Sequence, residues 1–538
     1  MQFNIKRLFS WLVLLLFSIP LILPFLKKGY FTTHDGEWAI VRLSAFNTAL
    51  RDGQLIPRWA GNLFHSFGYP IFNFNYPLPY MIGEALHLVG FGFVDAVKGV
   101  FILSIIFSAI FMYLLCKELF GKTAGVFGAL LYLYYPFRMV DLFVRGSIGE
   151  SLVFAILPLI YWSTIKLQKI KNKKWVAITS LSIAALILAH NSLALVSLPF
   201  VILFMIFLLI TEKKRKKLIY YFTASLLFAF CLSCFFWLPA LYEKQWVILN
   251  PETITQPTKH FPALKSLFIS SWGFGQSKAI DSLSFQLGPI HLLLLLITVI
   301  LFFVSKKENN KKIIGFFLAV FFINLFFLLP VSGFLWKNLP LIAYVSYPWR
   351  LLVPIGFYLS VIGVFAFGKI KNSWLLTGII AVFFVFLFFQ TRNYRKPREF
   401  INRDEMFYIT NQSTTIEGDE NTPVWVKIPP KHAPKDKIEL EGKYEIISQK
   451  SNLLSFDIYS EKTQKVFVNT IYYPGWKLFV NGKEEKIDYE NDRGLISFQS
   501  EIGEKNIKLV FNETLLRLFS DIISLFSLTL IIYLLSKK

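Results

Sequence analysis

The sequence predicts a polytopic α-helical membrane protein of about twelve transmembrane helices, with a β-sandwich inserted before the last of them. Three observations predict this. Of 538 residues, 55% are hydrophobic and 17% aromatic, and the mean hydropathy is +0.52, which leaves too little polar surface for a water-soluble globule. Apolar runs long enough to cross a hydrocarbon core of about 30 Å recur from Leu8–Leu26 through to Gln390, and once more over Leu515–Leu535. Between the last two runs the chain loses its phenylalanine-rich stretches and gains strand-like alternation.

The first run follows Lys6 and Arg7, as the core of a secretory signal would. It is a full span long, however, and ends at Pro24 and Lys27 without a small-residue cleavage site, so a retained helix is expected. The net charge of +22 does not gather on one soluble face, which excludes a nucleic-acid-binding surface. Lysines instead cluster in short turns between spans, over Lys166–Lys174, Lys213–Lys217, Lys306–Lys312, Lys369–Lys371 and Lys537–Lys538. With Lys6 and Arg7 in the cytoplasm, all of these fall on the cytoplasmic side and both termini are cytoplasmic. The long polar segments 27–98, 135–151, 241–288, 330–350 and 391–514 then face outward from a bacterial plasma membrane, with the lipid bilayer as an obligatory partner. Cys116, Cys231 and Cys234 sit in apolar surroundings; the Cys231/Cys234 spacing lacks partner ligands, so buried small hydrophobes are expected.

The expected organisation is a transmembrane unit over 1–391 whose first outer loop is 27–98, an extracytoplasmic β-rich domain over 392–514, and a C-terminal helix over 515–538. Within the β domain, Lys465–Thr470 alternates at period two. Asn481-Gly482 after Leu478-Phe479-Val480 predicts a two-residue hairpin, because both central residues of a type I′ turn need positive φ. Asp492-Arg493-Gly494 and Gly503 mark further turns.

Chemistry is sought where ionisable groups meet the outer membrane surface, since such groups are costly near lipid. Thr32-Thr33-His34-Asp35-Gly36-Glu37-Trp38 places His34, Asp35 and Glu37 just beyond the first span, ahead of an amphipathic helix reaching about Asp52 and stopped by Gly53. A carboxylate there can deprotonate an acceptor hydroxyl or hold a divalent cation; the sequence does not identify a cofactor. Asp35 is also a natural N-cap for that helix, and the two roles are compatible. Arg138, Asp141, Arg145 and Glu150 group in the second outer segment, where a guanidinium suits a phosphate and an internal ion pair is the plainer alternative. His190 closes a span at the outer face, as an interfacial or hydrogen-bonded histidine or as part of the site. The aromatics Tyr69, Phe72, Phe74, Tyr76 and Tyr80 are expected in an interfacial belt or stacked on a sugar or prenyl group.

A first span ending in an outer acidic loop, many further spans and a soluble outer domain together resemble the GT-C glycosyltransferase architecture. Thr33-His34-Asp35-Gly36, Gly53-Gln54-Leu55-Ile56-Pro57-Arg58-Trp59 and Tyr473-Pro474-Gly475-Trp476-Lys477 are similar to the bacterial YfhO-like membrane proteins over nearly the whole chain. The chain also resembles a bacterial membrane group named after 6-pyruvoyl-tetrahydropterin synthase, although no compact domain with clustered histidines offers a seat for pterin chemistry. The resemblance implies transfer of a sugar from a polyprenyl-phosphate donor to a cell-envelope acceptor, usually with inversion, and it makes Asp35 the general base with His34 and Glu37 beside it. It also sets Arg350, in Tyr347-Pro348-Trp349-Arg350, where the lipid phosphate would arrive; an interface anchor is the alternative.

Two other classes stay open. In a lipid or polysaccharide transporter or flippase the same charges would line a path, but no internal repeat is evident and the polar residues collect at one surface. A non-catalytic envelope assembly protein would use the β domain alone. The lysine alternation gives a direct test of topology: cysteines at Gln54, Gln276 and Asn481 should react with an impermeant reagent in intact cells, and cysteines near Asn172 or Asn309 only after lysis. Protection of position 481 until lysis would overturn the orientation.

Overall fold

In lipid every backbone N–H and C=O must be satisfied within the segment, so the apolar runs fold as helices. The computed structural model describes residues 5–249, 256–274, 283–304, 310–367, 373–413 and 420–536. Among them, Phe93–Phe120, Ile148–Ile170, Asn191–Thr211, Lys311–Leu328, Pro348–Phe365 and Leu515–Ser536 are each long and apolar enough to cross a bilayer. Two bent pairs extend the set, Lys122–Leu133 with Pro136–Arg145 at 50° and Arg215–Leu232 with Cys234–Trp246 at 66°. Pro136 supplies no N–H to the first bend. At the second, the Phe235 N–H donates to Ser524 Oγ of the last helix, 2.8 Å away. Shorter apolar helices cover Ser10–Leu26, Pro289–Val304 and Thr377–Gln390. The expected total of about twelve thus counts helices that length alone does not make spans.

Lysine-rich turns meet at one end of the bundle. Lys166 and Lys169 pair with Glu118 at 3.2 and 2.7 Å, and Lys171 pairs with Glu212 at 3.2 Å. Lys306, Lys307, Lys369, Lys371, Lys537 and Lys538 lie outside the described residues, as do the labelling positions Gln276 and Asn309. The polar segments gather at the opposite end. There β1 (Tyr30–Phe31), after the first helix, pairs antiparallel with β2 (Phe400–Ile401), which follows the helix Ser373–Gln390, so the chain leaves the helical bundle twice at one place.

The C-terminal β domain is a two-sheet sandwich. Its strands are β3 (Ile438–Glu439), β4 (Gly442–Lys450), β5 (Leu453–Ser460), β6 (Gln464–Ile471), β7 (Trp476–Val480), β8 (Lys483–Glu485), β9 (Leu495–Ser500) and β10 (Gly503–Phe511). One sheet has the order β4-β5-β10-β7-β8 and the other β3-β6-β9, with antiparallel neighbours throughout. Alternate residues face the core: Leu454, Phe456 and Ile458 from β5, Ile507 and Leu509 from β10, Val466 and Val468 from β6. The predicted hairpin is present, with Asn481 and Gly482 at φ 48° and 79° between Val480 and Lys483.

Buried charge joins this domain to the membrane unit. Arg517, on the last helix, grips Glu243 through Nε–Oε1 and Nη2–Oε2 contacts of 2.8 Å each, and both residues are fully buried. Glu243 Oε2 also accepts the Tyr473 hydroxyl at 2.8 Å and Asn73 Nδ2 at 2.7 Å. Beside this knot the buried Arg58 donates to Asp521 Oδ1 and the Phe235 carbonyl at 2.7 Å each. Trp59 packs on Tyr473 and Trp476 with ring centroids 6.3 and 5.8 Å apart. The two motifs 53–59 and 473–477 therefore meet as one joint. Gln54, expected to be an exposed loop residue, is buried there because its amide donates to the Trp59 carbonyl and Ser451 Oγ. Asn481 is exposed.

Removing one member of a buried ion pair strands the other. Arg517→Met should lower the stability of the purified full chain by about 3–5 kcal/mol, and adding Glu243→Gln should recover much of that loss. Thermal unfolding in detergent measures both. A single variant as stable as the parent would show that this pair does not hold the domains together.

Candidate functional site

The loop after the first helix is stitched by its backbone to the segment 141–145. The His34 N–H donates to the Val144 carbonyl at 2.9 Å and the Asp35 N–H to the Arg145 carbonyl at 2.8 Å. The receiving segment, Asp141–Arg145, is a single π-helical turn, a feature often found where a helix is reshaped to aim side chains. It ends at Gly146, whose φ is 63° and whose missing Cβ leaves room for the Thr33 side chain. Thr33 Oγ1, not Asp35, accepts the Gly36 N–H at the start of the helix Gly36–Arg51, at 2.9 Å. Asp35 occupies the N-cap position but makes no side-chain cap bond, so its carboxylate is left for other work.

That carboxylate opens onto a cavity of about 610 Å³ lined by Asp35, Arg42, Tyr76, Arg145, His190, Ser192, Lys244, Arg350, Glu420 and Asn421 among others. Asp35 Oδ2 lies 3.1 Å from Arg145 Nη2, and the same nitrogen lies 3.3 Å from Glu150 Oε1. Glu150 is fully buried and its Oε1 also accepts Arg350 Nε at 3.1 Å, so one carboxylate orients two guanidinium groups. Arg350 donates in addition to Ser192 Oγ at 3.1 Å and the Val345 carbonyl at 2.7 Å. Arg145 lies over the Trp349 ring at 4.4 Å and Arg350 over Tyr347 at 5.1 Å, which fixes both planes.

His190 caps the helix Asn191–Thr211 by accepting the Leu193 N–H on Nδ1 at 3.3 Å. Burial, followed by Arg350 and Arg145, holds its pKa well below the ordinary histidine value, so the ring is neutral and its Nε2 hydrogen faces Glu150 at 3.6 Å. The Tyr76 ring stacks on it at 4.8 Å.

Asp35, Arg145, Glu150, His190 and Arg350 thus converge, from four segments far apart in sequence. The other expected residues stand elsewhere. His34 points its Nε2 at the Phe274 carbonyl, 2.6 Å away. Glu37 faces Tyr408 and Arg403, at 2.9 and 3.3 Å, on the far side of its helix from the cavity. Arg138 is buried, donating to the Ser151 carbonyl and Ser104 Oγ at 3.0 and 3.1 Å over the Phe154 ring, away from the lining. Asp141 is buried behind the cavity, and neither carboxylate oxygen has a hydrogen bond among the described residues. The aromatics expected in a belt or stacked on a substrate divide: Tyr69 and Phe72 are buried in the core, whereas the buried Phe74 and Tyr80 and the half-buried Tyr76 line the cavity.

Arg42, Lys244, Glu420 and Asn421 stand outside the expected set of site residues. Arg42 was findable, because Asp35, Ala39 and Arg42 share one helical face and all three line the cavity. Among the lining residues four cations, Arg42, Arg145, Lys244 and Arg350, stand against the carboxylates Asp35 and Glu420, so the cavity favours an anion. Among the described residues no three carboxylate, histidine or cysteine side chains are grouped to hold a metal ion. The opposite flank is apolar, with Leu195, Leu198, Phe230, Trp237 and Leu241, of which Phe230 and Leu241 are exposed on the outside of the bundle.

Residues 72–397 match the 6-pyruvoyl-tetrahydropterin synthase related domain, a membrane protein family. An uncharacterized protein of Lactococcus lactis subsp. cremoris is 24% identical over 248 residues, which are 45% of this chain and 40% of that protein. The uncharacterized protein YfhO of Bacillus subtilis is 33% identical over 87 residues, 16% of this chain and 10% of its own length. The arabinofuranosyltransferase AftD from Mycobacteria superposes on 73% of this chain and 27% of its own, with a TM-score of 0.51 and 14% identity, a likeness of fold alone. The chain thus spans less than half the length of each of these relatives.

Glu150→Ala would leave the buried Arg145 and the half-buried Arg350 without their shared carboxylate. It should lower stability by about 3–5 kcal/mol, measured by thermal unfolding of the full chain in detergent. Unchanged stability would mean that the two cations do not depend on Glu150.

Proposed function

The chain belongs to the 6-pyruvoyl-tetrahydropterin synthase related family of membrane proteins, and we propose that it is a glycosyltransferase moving a sugar from a polyprenyl-phosphate donor to an extracytoplasmic cell-envelope acceptor. One observation carries the reading: a single cavity has a cationic end at Arg145 and Arg350 and an apolar flank at Leu195, Leu198 and Phe230 that reaches the lipid-facing surface. A lipid phosphate needs both, since its chain stays in hydrocarbon while its charge and sugar stay wet.

In this reading the prenyl chain lies along the apolar flank and the phosphate meets Arg145 and Arg350, which Glu150 and the rings of Trp349 and Tyr347 hold in place. The phosphate takes the place of Asp35 as a partner of Arg145, beside Glu150, and Asp35 Oδ2 is then open to the acceptor hydroxyl. Asp35 takes the hydroxyl proton as the acceptor oxygen forms its bond to the anomeric carbon. The bond from that carbon to the phosphate oxygen breaks from the opposite face, and polyprenyl phosphate leaves with the electron pair. The two arginines stabilise the charge that develops on it. Inversion at the anomeric carbon follows. The site faces outward from the plasma membrane, as the lysine alternation implies, and both termini are cytoplasmic. Arg138, Asp141, His34 and Glu37 have no contact with substrate in this scheme.

Asp35→Asn nearly preserves size while removing proton acceptance. With purified protein, a polyprenyl-phosphate sugar and candidate acceptors, it should lower turnover roughly a hundredfold or more at unchanged folded yield. Near-normal turnover in the folded variant would sink Asp35 as the base. Failure of the parent protein to transfer any sugar, together with carrier-dependent movement of lipid across vesicles, would establish a transporter instead.

A further inference from the structure

One wall of the cavity comes from neither the helical bundle nor the β sheets. The segment 420–428 crosses from the cavity to the sandwich and is pinned on both sides. Towards the membrane unit, the Asn421 N–H donates to the Ile248 carbonyl at 3.0 Å, the Ile248 N–H to the Thr422 carbonyl at 2.9 Å and the Val424 N–H to the Trp246 carbonyl at 3.0 Å. Towards the sandwich, Trp425 Nε1 donates to the Tyr472 carbonyl at 3.1 Å, and the Lys427 and Ile428 N–H groups both reach the Asp492 carbonyl at 2.9 Å. Two consecutive residues of this strap, Glu420 and Asn421, line the cavity.

Asn421 presents an unanswered acceptor, and Glu420 a carboxyl drawn by Arg350 and Arg42. Asn421 is 5% exposed, has a left-handed φ of 64°, and its Oδ1 has no hydrogen-bond partner among the described residues. A buried carbonyl oxygen without a donor is costly, and such an atom in a cavity is explained by a ligand that supplies one. Burial pushes the Glu420 carboxyl above the usual range, against the opposing pull of Arg350 and Arg42. A phosphate meets neither need: it brings negative charge to Glu420 and no donor to Asn421. Hydroxyl groups meet both, and a sugar offers adjacent ones next to the phosphate that Arg350 attracts.

We propose that Glu420 and Asn421 bind neighbouring hydroxyl groups of the transferred sugar, making this strap the sugar-recognising element of the cavity. The assignment rests on the glycosyltransferase reading above. The strap is held at the cavity by Ile248 and Trp246 and at its far end by the sandwich, which gives the β domain a part in recognition without any sugar contact of its own.

The test measures binding to the full-length protein in detergent with two probes, a polyprenyl phosphate carrying a hexose and bare polyprenyl phosphate. Asn421→Gly keeps the positive φ and removes the amide; it should weaken the hexose-bearing probe roughly three- to tenfold. Glu420→Gln removes a charged acceptor and should weaken it roughly tenfold or more. Binding of the bare probe should be unchanged in the first variant and unchanged or tighter in the second, while Arg350→Ala weakens both probes. Unchanged binding of the hexose-bearing probe by both variants, or equal loss of both probes, would overturn the sugar assignment and leave the lipid-phosphate site standing. Binding of neither probe by the parent protein would overturn the glycosyltransferase reading and this assignment with it.

Discussion

The fully buried pair of Glu243 and Arg517 is the constraint on which the arrangement of this protein turns. Two charges withdrawn from water are tolerable only when each satisfies the other and the remaining lone pairs and protons find partners. Tyr473 and Asn73 supply those partners, and the Arg517 Nη2 group reaches the Pro474 carbonyl at 3.0 Å. Four distant parts of the chain are thereby fixed together: the first loop, the bent helix ending at Glu243, the sandwich and the last helix. With Arg58 beside it, this joint sets where the sandwich stands and so where the strap 420–428 enters the cavity.

The cavity repeats the same economy with a different outcome. Glu150 is shared by Arg145 and Arg350, and Asp35 is held by the same Arg145 Nη2 that contacts Glu150. Structural partners hold these guanidinium groups without using all of their donors: Arg145 Nε has no hydrogen bond among the described residues. A preorganised cation pair of this kind binds an incoming anion with little rearrangement, which is the condition for stabilising charge that develops during a reaction. The apolar flank beside it belongs to the same spans that face lipid, so the amphipathic character of the cavity follows from its depth at the membrane surface.

Much of this was legible along the chain. The hydrophobic runs, the lysine-rich turns, the hairpin at Asn481-Gly482 and the helix ending near Gly53 each express a property of a few neighbouring residues. Asp35, Arg145, Glu150, His190 and Arg350 were also visible as ionisable groups at one membrane surface, because an ionisable group beside an apolar run needs an explanation. Local pattern could not separate them from Arg138, Asp141, His34 and Glu37, which share the chemistry and sit within a few residues of the site. Arg138 and Glu37 differ from Arg145 and Asp35 only in the direction their helices turn them.

By itself, then, the sequence determined which segments are apolar enough for lipid, where strands replace helices and which end of the bundle collects the polar loops, since transfer from water to hydrocarbon is decided residue by residue. Tertiary structure decided which charges meet. Glu420 and Asn421 reach a cavity whose base lies at Asp35, and Arg517 reaches Glu243 across 274 residues of chain. Such pairings depend on how rigid helices and a sandwich pack, and no local periodicity records a contact between segments so far apart.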